Sequence, residues 1–324
     1  MRAIVITADH RLELADVPEP AAGDGEILID VVAAGVNRAD VAQAAGQYPP
    51  PPGASELPGL EVSGRRRDTG EAVVALLAGG GYAEVVAVPE AQVLPAPPAL
   101  SLAEAGGIIE VAATVVSNLV IEGGLRAEPA GGDGGAAPEP QTVLIHGGTG
   151  GIGTFAIQFA SALGARVLTT VGSDAAVDEV RRLGASEAWN RHTTDVVAAV
   201  REAGGADIIL DVIGGPALND NVAMLREFGR LVIIGTMGGA TGELDVGALM
   251  GKRARVIGTT VRSREPHDKQ RILERTAELV WPLLENGEVT LPVHARVPLA
   301  DAARAHEVLR AGGHLGKVIL DVGE

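Results

Sequence analysis

The segment 142–154, TVLIHGGTGGIGT, constrains the fold of this chain more than any other feature. An apolar run at 143–145 is typical of a buried strand, and Gly148, Gly150 and Gly153 follow with the spacing G-x-G-x-x-G. Apolar residues then recur at helical spacing, which predicts a helix directly after the glycines. A strand, a glycine turn and a helix in succession are the context in which this spacing indicates a dinucleotide-binding site.

The glycines have chemical reasons to be where they are. Backbone N–H groups at the start of a helix can bind a diphosphate, aided by the helix dipole, if no side chain obstructs them. We expect Gly150 to leave that space open, with the backbone of Gly151 and Ile152 facing the diphosphate. We expect Gly148 to form the tight turn and Gly153 to let the helix lie close to the strand. The alternative is a glycine-rich loop of another α/β protein, such as a methyltransferase.

Length and composition narrow the class of protein. The chain has 324 residues, enough for two domains. No apolar run is long enough to span a membrane, and the N-terminus enters a strand-like pattern rather than a signal peptide, so we expect a cytoplasmic protein. The absence of cysteine excludes disulfides and thiolate metal ligands. A net charge of −16 argues against nucleic acid as a partner and favours a solvated acidic surface.

The N-terminal part of the chain has the patterns of a barrel-like β domain. Short strands separated by glycine and proline are predicted at 3–7, 11–14, 27–34, 72–77 and 83–88. Residues 101–121 have helical spacing and open with Ser101 and Glu104, a capping-box pair. The stretch 126–141 has no periodicity and no large apolar residue, so we predict a flexible surface loop there.

From residue 142 onward, strand and helix patterns alternate. Strands are predicted at 166–171, 206–212, 230–234 and 318–322, with an edge strand at 256–261, and helices at 175–183, 216–225, 269–284 and 299–309. Repeated β-α-β units predict a parallel, doubly wound sheet. The tail after 265 is too short for a domain of its own, and we expect it to pack on the N-terminal domain.

Several motifs in a fixed order extend along nearly the whole chain. They are GVNRAD (35–40), GQYPPPPG (46–53), GLEVSG (59–64), LAGGGYAE (77–84), the glycine fingerprint, DVIGG (211–215), GRLVIIG (229–235), RSR (262–264) and HLGKV (314–318). Together they resemble the zinc-free NAD(P)H:quinone oxidoreductases of the medium-chain dehydrogenase/reductase superfamily, in the stress-inducible subgroup related to zeta-crystallin.

The resemblance implies an α/β protein with two domains. A GroES-like, β-rich catalytic domain would comprise residues 1–112 and 262–324. A doubly wound Rossmann domain that binds NAD(P) would comprise residues 113–261, with the cofactor in the cleft. Alcohol dehydrogenases of this superfamily hold zinc through cysteine and histidine, so a chain without cysteine is expected to hold no metal. We expect His146, beside the glycine turn, to be a packing residue.

Two residues are implied as catalytic. Family members place an asparagine and a tyrosine near the nicotinamide, and these correspond to Asn37 and Tyr48. Either side chain can hydrogen-bond a carbonyl group or the cofactor amide. Asn37 could instead be a turn residue after Gly35, and the Tyr48 ring could pack against the prolines at 49–52.

The resemblance also implies cofactor contacts outside the fingerprint, at Thr114, Ile213, Gly235, Met237, Arg262 and Lys317. The positions at 213, 235 and 237 follow predicted strands, at the end where a doubly wound sheet binds ligands. Thr114 could instead bond its own helix backbone, and Arg262 and Lys317 could be surface cations.

The choice of coenzyme depends on the end of the second Rossmann strand. Relatives that use NADPH often carry a lysine where this chain has Ala176. Asp174 would favour NADH by bonding the ribose, or it could cap the next helix. Arg191 stands where relatives often have a tyrosine, and its guanidinium suits a phosphate. Ser173 and Arg191 could hold the 2′-phosphate together, so we predict NADPH, with NADH possible.

The predicted reaction is hydride or electron transfer from NADPH to a small-molecule quinone or related electron-poor carbonyl compound. One alternative is an enone or alkenal double-bond reductase on the same scaffold. Another is a non-enzymatic nucleotide-binding protein with a structural or regulatory role. The family implies a homodimer, with edge strands near 255–261 paired across a two-fold axis.

Overall fold

A computed structural model describes residues 1–127 and 139–323 of the chain. The chain forms two compact units. Unit 1 consists of Met1–Ala113, Val261–Asn286 and Leu291–Glu324, and unit 2 of Thr114–Thr260 and Gly287–Thr290. Within the described ranges, every helix is too short or too polar to cross a membrane.

Unit 1 is a β-rich domain with short helices. Its N-terminal part contains β1 (Arg2–Ile6), β2 (Leu12–Asp16), β3 (Glu26–Val36), α1 (Arg38–Ala44), β4 (Glu61–Arg66), β5 (Ala72–Leu76), β6 (Val85–Pro89), a 3₁₀ turn (Glu90–Gln92), β7 (Val93–Pro95), α2 (Leu102–Ala105) and α3 (Ile109–Val115), in which the chain passes to unit 2. Its C-terminal part contains α9 (Pro266–Glu285), β14 (Val293–Pro298), a 3₁₀ turn (Leu299–Asp301), α10 (Ala302–Ala311) and β15 (Lys317–Asp321).

The C-terminal tail completes the main sheet of unit 1. The strand order is β14-β15-β3-β4-β5-β7, and β6 also pairs with β3. The last strand, β15, runs antiparallel to β3, with Val318 opposite Val36. A continuous buried core lies against this sheet and includes residues from the N-terminal strands, α10 and β15. The tail therefore depends on the N-terminal strands for burial of its apolar side chains.

Unit 2 is a doubly wound domain, as predicted. It contains a π-helix (Val116–Glu122), β8 (Thr142–His146), α4 (Gly151–Ala162), β9 (Arg166–Val171), α5 (Asp174–Arg182), β10 (Glu187–Asn190), α6 (Val196–Glu202), β11 (Ala206–Asp211), a 3₁₀ turn (Gly215–Ala217), α7 (Leu218–Met224), β12 (Leu225–Ile233), α8 (Val246–Lys252) and β13 (Arg255–Gly258). The strands are all parallel in the order β10-β9-β8-β11-β12-β13. The order reverses at β8, and ligands bind beyond the strand ends at such a switch point.

The helix predicted over 101–121 is wrong as a single element. Gly106 and Gly107 separate α2 from α3, and the backbone continues as the π-helix from Val116. A Cβ at Gly106 would lie 2.8 Å from the backbone carbon of Ala33, so the chain approaches β3 too closely for any side chain. The apolar spacing does not reveal this close approach, which requires a glycine at the point where α2 ends.

Short elements account for the other differences from the predicted pattern. The strands β4, β7 and β10 and the helices α1, α6 and α8 were not predicted. In β4 the buried residues include Glu61 and Ser63, so this strand has no apolar alternation to find. The edge strand predicted at 256–261 is confirmed as β13, at the end of its sheet. The loop predicted at 126–141 lies mostly outside the described residues.

Candidate functional site

The glycine turn between β8 and α4 brings bare backbone to the switch point of unit 2. Gly147 carries the positive φ of this turn, +75°. The sequence had assigned the turn to Gly148, which is wrong by one residue. A glycine is needed at position 148 for a different reason, because a Cβ there would collide with the hydroxyl of Thr169 on β9.

Gly150 and Gly153 have different surroundings. Gly150 is the residue before α4 and has an extended backbone, and an added Cβ would find only the Gly147 carbonyl oxygen within 4 Å, at 3.6 Å. An added Cβ at Gly153 would lie 2.8 Å from the Gly148 Cα, closer than real Cβ atoms pack. Gly153 therefore lets helix and strand meet, whereas Gly150 leaves open space in front of the helix.

The first turn of α4 offers backbone donors to that space. The first hydrogen bond of the helix runs from the Thr154 N–H to the Gly150 carbonyl at 2.9 Å. The N–H groups of Gly151, Ile152 and Gly153 precede it and have no helical acceptor. No side chain of the described residues caps them. Three donors at the positive end of a 12-residue helix, with no side chain in front, fit a diphosphate.

His146, at the end of β8, supports the turn from below and is a packing residue, as expected. Its Nδ1 accepts from the Thr170 hydroxyl at 3.0 Å, and its Nε2 donates to the Asn221 Oδ1 at 2.8 Å. Burial lowers the pKa of this imidazole, so the ring is neutral. Elsewhere in the described ranges, no three histidine, aspartate or glutamate side chains come together as metal ligands could.

Arg191, an exposed cation that directly follows β10, lies over the end of β9. The guanidinium of Arg191 lies over Gly172, with Nη1 3.3 Å from the position of an added Cβ. Among the residues that the structure describes, no hydrogen-bond or ion-pair partner holds this guanidinium. Ser173 caps α5 through a 3.4 Å bond from the Ala176 N–H. Asp174 accepts from the Asn190 amide at 2.7 Å instead of capping the helix. A free guanidinium next to a hydroxyl suits a phosphate.

The loop after β11 is held rigid by a buried carboxylate. Asp211 accepts from the N–H groups of Ile213 and Gly214, each at 2.9 Å. The Ile213 carbonyl accepts from the Gly238 N–H at 2.8 Å. Both backbone polar groups of Ile213 are therefore hydrogen-bonded within unit 2. This residue can contact a ligand through its side chain, on a loop whose conformation is fixed.

The loop after β12 lies beside it. A Cβ at Gly235 would be 3.3 Å from the Val212 carbonyl oxygen, and the Met237 N–H donates to that same carbonyl at 3.0 Å. The Met237 side chain is 63% exposed. Thr114, at the start of unit 2, is buried, and its carbonyl accepts from the Asn118 amide at 2.7 Å.

In unit 1, Asn37 lies between β3 and α1 in a buried polar cluster. Its Nδ2 donates to Glu61 Oε1 at 3.0 Å, and its Oδ1 accepts from Lys317 Nζ at 2.7 Å. Lys317 also donates to Glu61 Oε1 at 2.7 Å. The side chains of Lys317 and Glu61 are 3% and 0% exposed, so Lys317 is not a surface cation. We call these three residues the Asn37 cluster.

Glu61 is the member of this cluster that sequence reasoning missed. Its carboxylate lies against Gly35, where any Cβ would collide with it. The two motifs that contain Gly35 and Glu61 are therefore complementary in shape. The available signal was an acidic residue among the apolar residues of the GLEVSG motif (59–64), but its partner Lys317 lies 256 positions away.

A second buried network fixes the start of α1. Asp40 accepts from the backbone N–H of Asn37 at 2.8 Å, from that of Gly59 at 3.1 Å and from the Tyr82 hydroxyl at 3.2 Å. The Tyr82 hydroxyl also meets His306 Nε2 at 3.2 Å. Burial raises the pKa of Asp40 to about 6 and lowers that of His306 to about 4. This network holds the backbone on which Asn37 stands.

Arg262 holds the segment that carries Tyr48. Its guanidinium donates to the Tyr48 carbonyl at 3.2 Å, to the Ala78 carbonyl at 2.8 Å and to Gln43 Oε1 at 2.6 Å. It also lies 5.0 Å from the centroid of the Tyr48 ring, in cation–π contact. Arg262 is 6% exposed, so it too is not a surface cation. The phenol of Tyr48 stands on a segment anchored by one buried side chain.

Comparisons with known proteins agree with this architecture. Residues 23–98 match the family described as the alcohol dehydrogenase GroES-like domain, and residues 151–278 match the zinc-binding dehydrogenase family. The quinone oxidoreductase of Rattus norvegicus is 27% identical over an alignment of 320 residues, which covers 94% of this chain and 92% of the rat protein. That of Homo sapiens is also 27% identical with the same coverage.

Solved structures extend the similarity to three dimensions. The quinone oxidoreductase of Thermus thermophilus, solved also in complex with NADPH, is 31% identical with a TM-score of 0.82, over 99% of this chain and 100% of that one. A probable oxidoreductase from Mycobacterium abscessus is 32% identical with a TM-score of 0.80, over 99% of each chain.

Proposed function

Because this chain belongs to the quinone oxidoreductases of the medium-chain dehydrogenase/reductase superfamily, we propose that it transfers a hydride from NADPH to a quinone or a related electron-poor carbonyl compound. The observation that carries the proposal is the bare backbone in front of α4, where three N–H groups face a space that Gly150 leaves open. NADPH supplies the hydride when bound. The protein's part is to bind, to orient and to keep water away.

We assign the diphosphate of the coenzyme to the N–H groups of Gly151, Ile152 and Gly153. Gly148 keeps the turn close to β9 and so sets the position of these donors. The loops at Ile213 and at Gly235–Met237 follow β11 and β12, on the side of the sheet where doubly wound domains bind ligands. We assign them, with Thr114, to the ribose and nicotinamide part of the coenzyme.

We assign the 2′-phosphate of NADPH to Arg191 and Ser173. The support is the guanidinium of Arg191, which no described side chain neutralises. Asp174, the residue that would bond the ribose of NADH and repel a phosphate, is instead engaged by Asn190. The carboxylate is thus drawn towards β10, and a charge-assisted bond from the arginine favours NADPH.

We assign Asn37 and Tyr48 to the reacting end of the site, where each can hydrogen-bond a carbonyl group. We assign Arg262 and Lys317 as residues that hold this end of the site in place, because both are buried, and Arg262 donates to the Tyr48 carbonyl and Gln43 while Lys317 donates to Asn37 and Glu61. Reduction of a quinone to a hydroquinone adds a hydride and a proton. We assign the phenol of Tyr48 as a hydrogen-bond donor to the acceptor, with water as the source of the proton.

The test is a substrate panel with purified protein. Oxidation of NADPH and of NADH would be followed with a series of quinones and of alkenals, beside direct titration of both coenzymes. Reduction of quinones with NADPH supports the proposal. Activity confined to alkenals would make the protein a double-bond reductase, and binding without turnover of any acceptor would make it a nucleotide-binding protein. Failure to bind either coenzyme would overturn the assignment altogether.

We also propose a homodimer formed through β13. This strand is at the edge of the unit 2 sheet, so one row of its backbone groups has no partner strand in the described chain. Pairing of two such edges across a two-fold axis would satisfy both. Sedimentation equilibrium should give twice the chain mass of 32.9 kDa, and a monomer at micromolar concentration would contradict the proposal.

A further inference from the structure

The charged members of the Asn37 cluster are held by hydrogen bonds within unit 1. Lys317 Nζ has three donors, and these meet Asn37 Oδ1 at 2.7 Å, Glu61 Oε1 at 2.7 Å and the Val36 carbonyl at 3.3 Å. Glu61 Oε1 accepts from both Lys317 and Asn37, and Glu61 Oε2 accepts from the Glu110 N–H at 3.0 Å. All three Lys317 donors and both Glu61 oxygens therefore have partners, and the ion pair is buried.

This arrangement permits only one orientation of the Asn37 amide. The amide oxygen faces an ammonium group and the amide nitrogen faces a carboxylate. A flipped amide would set its N–H groups against the ammonium and its oxygen against the carboxylate. In a buried site each of those contacts is repulsive and leaves polar groups without partners. The flipped state is excluded by the pair of charges together and not by shape.

One amide hydrogen of Asn37 remains for a ligand. The first Nδ2 hydrogen is held by Glu61, while the second has, within the described part of the chain, only a contact of 3.5 Å with the Gly35 carbonyl, beyond the usual range of a hydrogen bond. Asn37 is 8% exposed, so the residue is not sealed within the cluster. Its oxygen is occupied by Lys317. What Asn37 can offer is thus an N–H group.

The chain is shaped to admit this ion pair. A Cβ at Gly35 would collide with the Glu61 carboxylate, and one at Gly107 would lie 3.2 Å from the Lys317 Cε. Because positions 35 and 107 are glycines, the two charged groups have room to reach the buried amide of Asn37. Stability alone does not require this, since buried ion pairs are often no better than apolar residues of similar volume.

We propose that the buried pair of Lys317 and Glu61 locks Asn37 as a hydrogen-bond donor, so that Asn37 recognises a carbonyl oxygen and rejects a donor group in the same place. The inference rests on the proposed function, which supplies two such oxygens: that of a quinone or enone acceptor and that of the nicotinamide carboxamide. Lys317 and Glu61 are positioning residues in this scheme, and Asn37 is the residue that touches the ligand.

The decisive experiment is a double-mutant cycle in two backgrounds. Glu61→Gln combined with Lys317→Met removes both charges together, which avoids an uncompensated buried ion. In the wild type, Asn37→Leu should lower kcat/KM for a quinone roughly tenfold, the value of one hydrogen bond. In the unlocked double variant, the same change should cost less than about threefold, because the amide is no longer held as a donor. An equal loss in both backgrounds would overturn the lock.

Two further measurements identify the ligand and separate folding from positioning. If Asn37→Leu weakens NADPH binding in the absence of acceptor, the carboxamide is the ligand; if it leaves that Kd unchanged and lowers kcat/KM, the acceptor is. Lys252→Met is the matched control. Among the described residues, this lysine donates only to the carbonyls of Ala223 and Leu225 in unit 2, so its loss should leave the Asn37→Leu effect intact.

Hydrogen exchange of the Asn37 side-chain amide tests the lock without a measurement of activity. It can be measured on the wild-type protein if the variants fail to fold, and also if the protein reduces no quinone. In the wild type, the Asn37 Nδ2 hydrogen that donates to Glu61 should exchange with solvent roughly tenfold more slowly than the side-chain amide hydrogens of exposed asparagines, whereas the second hydrogen, which is left for the ligand, need not be protected. An unprotected hydrogen at the Glu61 bond would refute the lock, whatever the acceptor. Protection of that hydrogen in a protein that binds NADPH but reduces neither quinones nor enones would uphold the lock and reject the proposed reaction.

Discussion

A single methyl group at Gly150 should separate coenzyme binding from stability. Gly150 has φ −67° and ψ 167°, a conformation that alanine adopts without strain. The added Cβ would meet nothing closer than the Gly147 carbonyl oxygen at 3.6 Å. Gly150→Ala should therefore fold normally, while its methyl group stands in front of the first turn of α4.

The expected magnitudes differ for the two properties. Restricting the unfolded chain gains about 0.4–1 kcal/mol, and alanine is a poorer residue than glycine before a helix by a similar amount, so stability should change by less than about 0.5 kcal/mol. A hydrogen bond from a backbone N–H to a charged oxygen contributes about 2–3 kcal/mol. Loss of one such bond to the diphosphate would weaken NADPH binding roughly 30- to 150-fold.

Alanine substitutions at two other glycines in unit 2 serve as comparisons for Gly150→Ala. At Gly153 the same methyl would lie 2.8 Å from the Gly148 Cα and closer still to the Gly147 carbonyl, so Gly153→Ala should lose about 1–3 kcal/mol of stability as well as coenzyme binding. At Gly251, on α8, an added Cβ meets nothing within 4 Å, and Gly251→Ala should alter neither binding nor folding adversely. Thermal unfolding and fluorescence titration with NADPH measure the two properties. A Gly150→Ala variant that binds NADPH like the wild type would refute the assignment of the diphosphate.

Three further predictions concern residues outside the glycine turn. Arg191→Ala should weaken NADPH binding roughly ten- to hundredfold and NADH binding hardly at all, with Arg182→Ala on α5 as the exposed-arginine control; equal losses for both coenzymes would remove Arg191 from the 2′-phosphate site. Arg262→Lys should lower kcat/KM for the acceptor nearly as much as Arg262→Met, because a lysine cannot reach the Tyr48 carbonyl, the Ala78 carbonyl and Gln43 together; full activity of the lysine variant would show that only the charge matters. His306, whose pKa burial lowers from 6.5 to about 4, contributes stability that is complete above pH 6.5 and is lost as the pH falls towards 4. Between pH 6.5 and 4, the free energy of unfolding measured in urea should therefore fall by about 3 kcal/mol less in His306→Leu than in the wild type. An unchanged pH dependence would contradict the neutral buried ring.

The local elements of unit 2 were largely predictable. The strand, glycine turn and helix of the fingerprint, and the alternation that follows it, depend on backbone preferences and apolar spacing within about ten residues. Where prediction failed, the cause was a contact with a distant element. The helix predicted at 101–121 is interrupted where Gly106 approaches Ala33. The strand β4 was not predicted because its buried residues include Glu61, an acid whose partner is distant in the chain.

The candidate site was predicted as a set of residues, but their roles were not. Asn37, Arg262 and Lys317 were named from motifs, and the structure shows the latter two buried and hydrogen-bonded within unit 1. The positive φ belongs to Gly147, and Asp174 is bonded to Asn190. Motif spacing reports which residue is present, whereas the direction of a hydrogen bond depends on which partners folding brings near.

The amino-acid sequence alone determined the order of elements, the glycine turn at the head of α4 and the lack of cysteine ligands for a metal, because these follow from composition and from short-range backbone sterics. Only the tertiary structure decided that Lys317 meets Asn37 across 280 positions and that Arg262 meets Gln43 across 219. No local pattern encodes such pairs. The first pair forms because β15 pairs with β3 and removes the charged groups from water, and a buried charge is stable only where a partner meets it, wherever in the chain that partner lies.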